Sequence, residues 1–163
     1  MSKISFFLLL PLILLSFEAR VVKIIDGDTI KILTSERQQI KVRLYGIDAP
    51  EKKQPYGADA KRFLSDLVAG KNVRIEERGK DRYKRTLGIV YLKDNDINEI
   101  LVLNGYAWAF TKYSKNYESQ ERQARNKGLG LWRDKNPIKP EIWRKIKQNR
   151  LEEKVRATKP RHR

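Results

Sequence analysis

Apolar and polar positions divide this chain into short elements with distinct periods. Ile4 to Leu15 is nearly unbroken apolar sequence around Pro11, preceded by Lys3. Its length suits the core of a signal peptide and falls short of the ~20 apolar residues that span a bilayer. Ala19 fits a cleavage position, although Phe17 is bulky where a small residue is expected. Residues 1–19 are therefore expected to be a leader outside the fold, with an uncleaved anchor as the alternative. Arg20 to Ile25 is rich in β-branched residues and predicts a strand. Asp26-Gly27 should turn the chain, with Gly27 taking backbone angles that a side chain would forbid. Ile30 to Leu33 and Gln39 to Val42 then alternate as a hairpin folded about Glu36, which pairs residues whose numbers sum to about 72.

Ala60, Phe63, Leu64, Leu67 and Val68 recur at helical spacing. They predict a helix over 56–69 that Gly70 ends. Asn72 to Glu77 alternates as a fourth strand, Arg78 to Lys84 is a charged loop, and Arg85 to Leu92 is a fifth strand. Asp96 and Glu99 stand at capping-box spacing ahead of a short helix that Asn104-Gly105 closes. Tyr106 to Phe110 reads as extended, and a last domain helix should cover 116–127. The result is an α+β class with a mainly β core, a five-stranded barrel of the OB type with three helices over residues 20–134. Residues 135–163 form a basic tail. Within it 141–155 can be helical, and the composition beyond predicts no fixed structure.

Charge and composition narrow the chemistry. The 163 residues carry a net charge of +16, with no cysteine and one histidine, His162. Thiolate and imidazole chemistry are excluded on that ground, so any catalytic cation must be held by oxygen, as Ca²⁺ or Mg²⁺ are. From Arg133 onward twelve Lys and Arg stand against four Asp and Glu, half of the total excess. Such an excess points to polyanion partners, nucleic acid first and an anionic membrane second. Phe63, Tyr91, Trp108, Phe110 and Trp132 are expected in the core, which leaves Tyr83 and Tyr113 as candidates for base stacking.

The hairpin register predicts where acidic groups meet. Asp28 should lie across from about Leu44, so the hairpin mouth gathers Asp28, Asp48 and Glu51 with Arg43 beside them. Carboxylates are costly to assemble this way unless a cation or phosphate sits among them. An EF-hand is excluded: counted from Asp26, Ile30, Lys31 and Arg37 occupy positions five, six and twelve, where that loop needs other residues. A calcium site here must draw on distant segments, and Asp28 with Asp48 fits. Arg43 and Arg85 together would offer two planar forks to phosphate oxygens. Glu51, just past Pro50, could orient or deprotonate an attacking water.

Asp26-Gly27-Asp28-Thr29, the run from Val42 to Glu51, Tyr56-Gly57, the run from Asp81 to Arg85, Asn98-Glu99 and Gly105-Tyr106-Ala107 come in an order that resembles the staphylococcal nuclease (thermonuclease) family. The match covers about Val21 to Trp132. The resemblance implies an OB barrel that hydrolyses DNA and RNA with Ca²⁺ and leaves 3′-phosphate ends. It further implies Asp28, Asp48 and the Ala49 carbonyl as calcium ligands, with Asp26 behind them. Arg43 and Arg85 would bind phosphate, Glu51 would act as general base, and Tyr83 and Tyr113 would line the nucleotide pocket. Ala49 replaces a threonine of the type member, and Lys84 stands where that member has glycine, which bears on the aim of Arg85. The tail around Trp143-Arg144-Lys145 is an addition, read as an extra grip on anionic surfaces. The expected protein is a secreted or envelope-associated monomer acting on DNA and RNA, with no obligate protein partner. A non-catalytic OB module that binds nucleic acid and a membrane-surface protein are the alternatives.

Overall fold

The structure is a computed structural model that describes residues 16–158. The apolar leader core at 4–15 and the segment 159–163, for which no fixed structure is expected, lie outside the described residues. Strand β1 runs Ser16–Asp26, β2 Thr29–Leu33, β3 Gln39–Leu44 and the two-residue β4 Ile47–Asp48. Helix α1 (Gly57–Val68) precedes β5 (Asn72–Lys80), β6 (Thr86–Leu92) and the short β7 (Asn95–Asp96). Helix α2 (Ile97–Leu103), β8 (Trp108–Ala109), α3 (Glu118–Asn126), a 3₁₀ turn (Gly130–Arg133) and α4 (Pro140–Thr158) complete the order.

Five strands close a barrel in the order β3-β2-β1-β5-β6, with β3 pairing β6 to complete the ring. The β2–β3 hairpin has the register expected from folding about Glu36, with Thr29 opposite Arg43 and Leu33 opposite Gln39. Closure is parallel, setting Val42 beside Thr86 and Leu44 beside Gly88. Asn98, fully buried, fastens that seam. Its amide nitrogen donates to the Tyr45 and Gly88 carbonyls at 2.9 and 3.2 Å, and its oxygen accepts from the Val90 amide at 3.2 Å. A buried side-chain amide with its partners in place fixes a unique strand arrangement.

The interior is filled by alternating positions of the strands, among them Val21, Ile30, Ile32, Val42, Leu44, Ile75 and Val90. Ala60, Leu64 and Val68 of α1, and Ile97, Leu101 and Val102 of α2, pack into the same core. A smaller cluster joins Trp108, Ala124, Leu131 and Trp132, with the two indole rings edge to face at 4.4 Å. These tryptophans are core, as expected. Phe63, Tyr91 and Phe110 are half-buried, with Phe63 stacked on Tyr106 at 4.3 Å.

Several boundaries differ from expectation, each for a physical reason. β1 begins at Ser16, inside the segment read as leader, and Ser16 to Arg20 pair with β5 from Glu76 to Asn72. Ala19 is buried in the barrel. Only the distant partner strand reveals this, because apolar alternation starting straight after an apolar run has no visible edge. A cut after Ala19 would remove most of the β1–β5 pairing. β5 continues to Lys80 into the expected charged loop, because its last residues are exposed and pair only at the rim, Lys80 opposite Thr86. The capping box of α2 forms in one direction: the Asp96 carboxylate accepts from the Glu99 amide at 3.0 Å, while the Glu99 carboxylate accepts from Gln120. The extended stretch expected over 106–110 narrows to β8, held against β4 with Asp48 opposite Trp108.

Gly27 corrects a second expectation. Its backbone lies outside the left-handed region where the positive-φ glycines fall. What it supplies is room, since a Cβ there would come within 2.8 Å of the Ala49 and Ala60 methyl carbons. The β1–β2 turn therefore sits directly against the segment after β4 and against α1. That close approach sets the depth of the hairpin mouth.

Candidate active site

Three segments meet at this mouth. The β1–β2 turn carries Asp28, β3 carries Arg43, and β4 carries Asp48. The Asp28 carbonyl accepts from the Leu44 amide at 2.8 Å, the crossing that the hairpin register predicts. The Asp28 carboxylate accepts from the Thr29 hydroxyl at 3.1 Å and from the Ala49 amide at 2.6 Å. Its own amide donates to Asp26 at 3.2 Å, so Asp26 braces the turn. Arg43 bridges the two carboxylates, with Nη1 2.7 Å from Asp28 Oδ2 and Nη2 2.9 Å from Asp48 Oδ1. All three side chains are nearly covered, at 13%, 8% and 5% exposure for Arg43, Asp28 and Asp48.

Burial dominates the ionisation of Asp28. Loss of water, with the negative charges of Asp26 and Asp48, pushes its carboxyl up to about 7 against the pull of Arg43 and the Ala49 amide. The folded state thus keeps a proton that the unfolded chain releases near pH 4. Stability from this group is complete below that pH and is lost as pH rises toward 7. The melting temperature of metal-free protein is expected to carry a downward contribution between roughly pH 4 and 7 that Asp28→Asn removes. Melts of both proteins across that range test this, and identical slopes would rule Asp28 out as the source.

Glu51 stands at the rim with its side chain 41% exposed. Its amide donates to Gln54 Oε1 at 3.0 Å and its carbonyl accepts from the Gln54 amide at 2.8 Å. A Cβ on Gly57 would collide with the Glu51 carbonyl, so glycine is needed for this tight bend. The Glu51 carboxylate reaches Asp48 through a residue that sequence reasoning placed only in the basic tail. Arg144 of α4 sets Nη1 2.7 Å from Glu51 Oε1 and 3.3 Å from Asp48 Oδ1, and Nη2 2.9 Å from Asp48 Oδ2. Partial burial works against its charge, but these hydrogen bonds and the charges of Asp48 and Glu51 outweigh it and raise its pKa further.

Arg85 has a different neighbourhood. It stands just before β6, which begins at Thr86 and not at Arg85 as expected. Its Nε lies 2.7 Å from Asp81 Oδ2, and Asp81 also accepts the Tyr83 and Arg85 amides at 2.8 and 2.9 Å. Burial acts against the Asp81 charge, yet these donors hold its carboxyl below the ordinary range. Lys84 takes a φ of 60° to make the turn, a left-handed conformation that favours glycine. Among the described residues no hydrogen bond or ion pair joins Arg85 to Asp28, Asp48 or Glu51. Tyr83 and Tyr113 are exposed, at 65% and 61%, as stacking platforms must be. The Tyr113 carbonyl accepts from the Tyr45 hydroxyl at 2.9 Å, which ties that loop to the turn after β3.

Among the described residues no three acidic, histidine or cysteine side chains gather closely enough to hold a metal by themselves. The donor set nevertheless suits a hard cation. Two buried carboxylates share one guanidinium, and the ionisation of Asp28 is opposed by its surroundings, a cost that a dication would relieve. Main-chain oxygen, with the Ala49 carbonyl beside Asp48, and water would have to supply the remaining positions.

Comparison with known proteins identifies the domain. A family model described as staphylococcal nuclease homologue matches residues 41–134. An uncharacterized endonuclease of Haemophilus influenzae is 52% identical over 128 residues, covering 77% of this chain and 72% of that protein. The micrococcal nuclease of Shigella flexneri is 42% identical, covering 82% and 83% of the two chains. The staphylococcal-like nuclease CAN1 of Arabidopsis thaliana is 39% identical over 68% of this chain and 35% of its own length.

Proposed function

The chain belongs to the staphylococcal nuclease homologue family and is a nuclease, and from that premise we propose that it cuts DNA and RNA with Ca²⁺ and leaves 3′-phosphate ends. Its class is that of an endonuclease hydrolase. The observation that carries the finer reading is the double ion pair of Arg43 with Asp28 and Asp48. It fixes a planar fork beside buried oxygen donors, the combination that phosphoryl chemistry uses.

In this reading Asp28, Asp48 and the Ala49 carbonyl hold the cation, and Asp26 keeps the Asp28 turn in place. When bound, Ca²⁺ would supply Lewis-acid polarisation of a phosphoryl oxygen. Arg43 offers N–H donors to the oxygens on which negative charge grows during in-line attack, and its fixed position spares reorganisation. Arg85 supplies the second fork after its guanidinium turns from Asp81. Glu51, at the solvent edge, accepts a proton from the attacking water. Tyr83 and Tyr113 stack flanking bases without reading sequence. The excess of positive charge draws in the phosphate backbone, which makes binding weaken with salt. The apolar leader supports export to the envelope or beyond.

Plasmid DNA and an unstructured RNA, each incubated with Ca²⁺ or with chelator, test the proposal. Both substrates are expected to be degraded with Ca²⁺ and spared with chelator, and the fragments should carry 3′-phosphate ends. Undiminished cleavage in chelator, or 5′-phosphate products, would overturn the calcium mechanism. Binding without any cleavage would favour the non-catalytic module.

A further inference from the structure

Arg144 occupies the groups that the reaction needs free. Its guanidinium sits bidentate on Asp48 and also holds Glu51. One cation-binding carboxylate and the proposed base are thus both bound to the same fixed positive charge. Carboxylate oxygens occupied in this way are not open to a dication or to an attacking water. Resting on the reading that Asp48 is a cation ligand, we propose that α4 is a latch, with Arg144 as a built-in counter-ion that must withdraw before a divalent cation and a phosphodiester can settle.

The way α4 is attached supports this role. Of its 19 residues only Pro140 is buried, and Trp143 is half-covered. Its approach is pinned by the Gln54 side-chain amide, which donates to the Ile138 carbonyl at 2.6 Å. Beyond that first turn, the hydrogen bonds and ion pairs that tie the helix to the barrel among the described residues are those of Arg144. A helix with so little buried surface has a low local opening free energy. The rest of α4 projects Lys145, Lys147, Arg150, Lys154 and Arg156 into solvent, where a phosphate backbone gives the helix another partner. The family match ends at residue 134, before α4 begins.

Competition for the same oxygens has a quantitative consequence. If the latch is closed in most molecules, the apparent cation affinity falls by the fraction that is open. Calorimetric titration of Ca²⁺ into the full chain, Arg144→Gln and Asp48→Asn provides the test, with hydrogen exchange of the α4 amides followed in parallel. Arg144→Gln is expected to bind Ca²⁺ about tenfold tighter than the unaltered chain. Ca²⁺ should speed exchange along α4 in the unaltered chain, while α4 of Arg144→Gln should exchange fast from the start. Asp48→Asn should lose Ca²⁺ binding. Equal affinities for the unaltered chain and Arg144→Gln, with α4 protection indifferent to Ca²⁺, would overturn the latch and leave the cation site intact. Weaker Ca²⁺ binding by folded Arg144→Gln would overturn it as well and make Arg144 part of the site. If neither protein takes up Ca²⁺, the calcium reading and the latch fall together.

Discussion

Arg43→Ala is expected to slow phosphodiester cleavage about a thousandfold or more, the range seen when a guanidinium that stabilises phosphoryl charge is removed. The expectation follows from placement. Arg43 is 13% exposed and spans Asp28 and Asp48 at 2.7 and 2.9 Å, so no solvent cation or neighbouring lysine can take its geometry. The same substitution should also be felt without substrate. Two buried carboxylates would lose their shared partner, which typically costs about 3–5 kcal/mol. Metal-free Arg43→Ala should therefore melt well below the unaltered protein, and Ca²⁺ should restore part of the difference by taking over the charge. Arg43→Lys separates the two roles, because an ammonium keeps the charge and loses the fork. Its stability should recover more than its turnover. A folded Arg43→Ala within tenfold of normal activity would remove Arg43 from the chemistry.

Glu51→Gln is expected to reduce kcat by about a hundredfold to ten-thousandfold, the usual contribution of a positioned proton acceptor. Glutamine keeps the shape, so the bend held by Gln54 and Gly57 should survive. KM should change little by comparison. The limb of the pH–rate profile that reports the base should disappear. Single-turnover cleavage of a short oligonucleotide across pH measures both quantities. A substitution that raised KM while sparing kcat would assign Glu51 to binding instead.

What could be read in the chain depended on distance along it. The β2–β3 register was legible because alternation and a polar bend are local, and it put Asp28 opposite Leu44 as found. Arg43 follows from the same register, one residue from the crossing. Asp48 needed more, since β4 is two residues long and is held by β8, sixty positions later. Arg85 was expected at the start of the fifth strand and lies one residue before it, and its capture by Asp81 is a side-chain event that period cannot report. Arg144 left no signal. Its partners Asp48 and Glu51 lie more than ninety residues away, and an arginine in a basic helix resembles its neighbours. Ser16 to Ala19 were hidden for a comparable reason, because their pairing depends on β5.

The parallel seam between β3 and β6 also dictates when the protein becomes dangerous. Its partners are separated by 44 positions of chain, so loop closure makes their meeting a late event in assembly. Until then Asn98 cannot anchor the strands, and on the proposed reading Arg43 lacks its second phosphate-binding partner. A newly made or partly unfolded copy should therefore be harmless to the nucleic acids around it, with cutting power arriving only as the ring shuts.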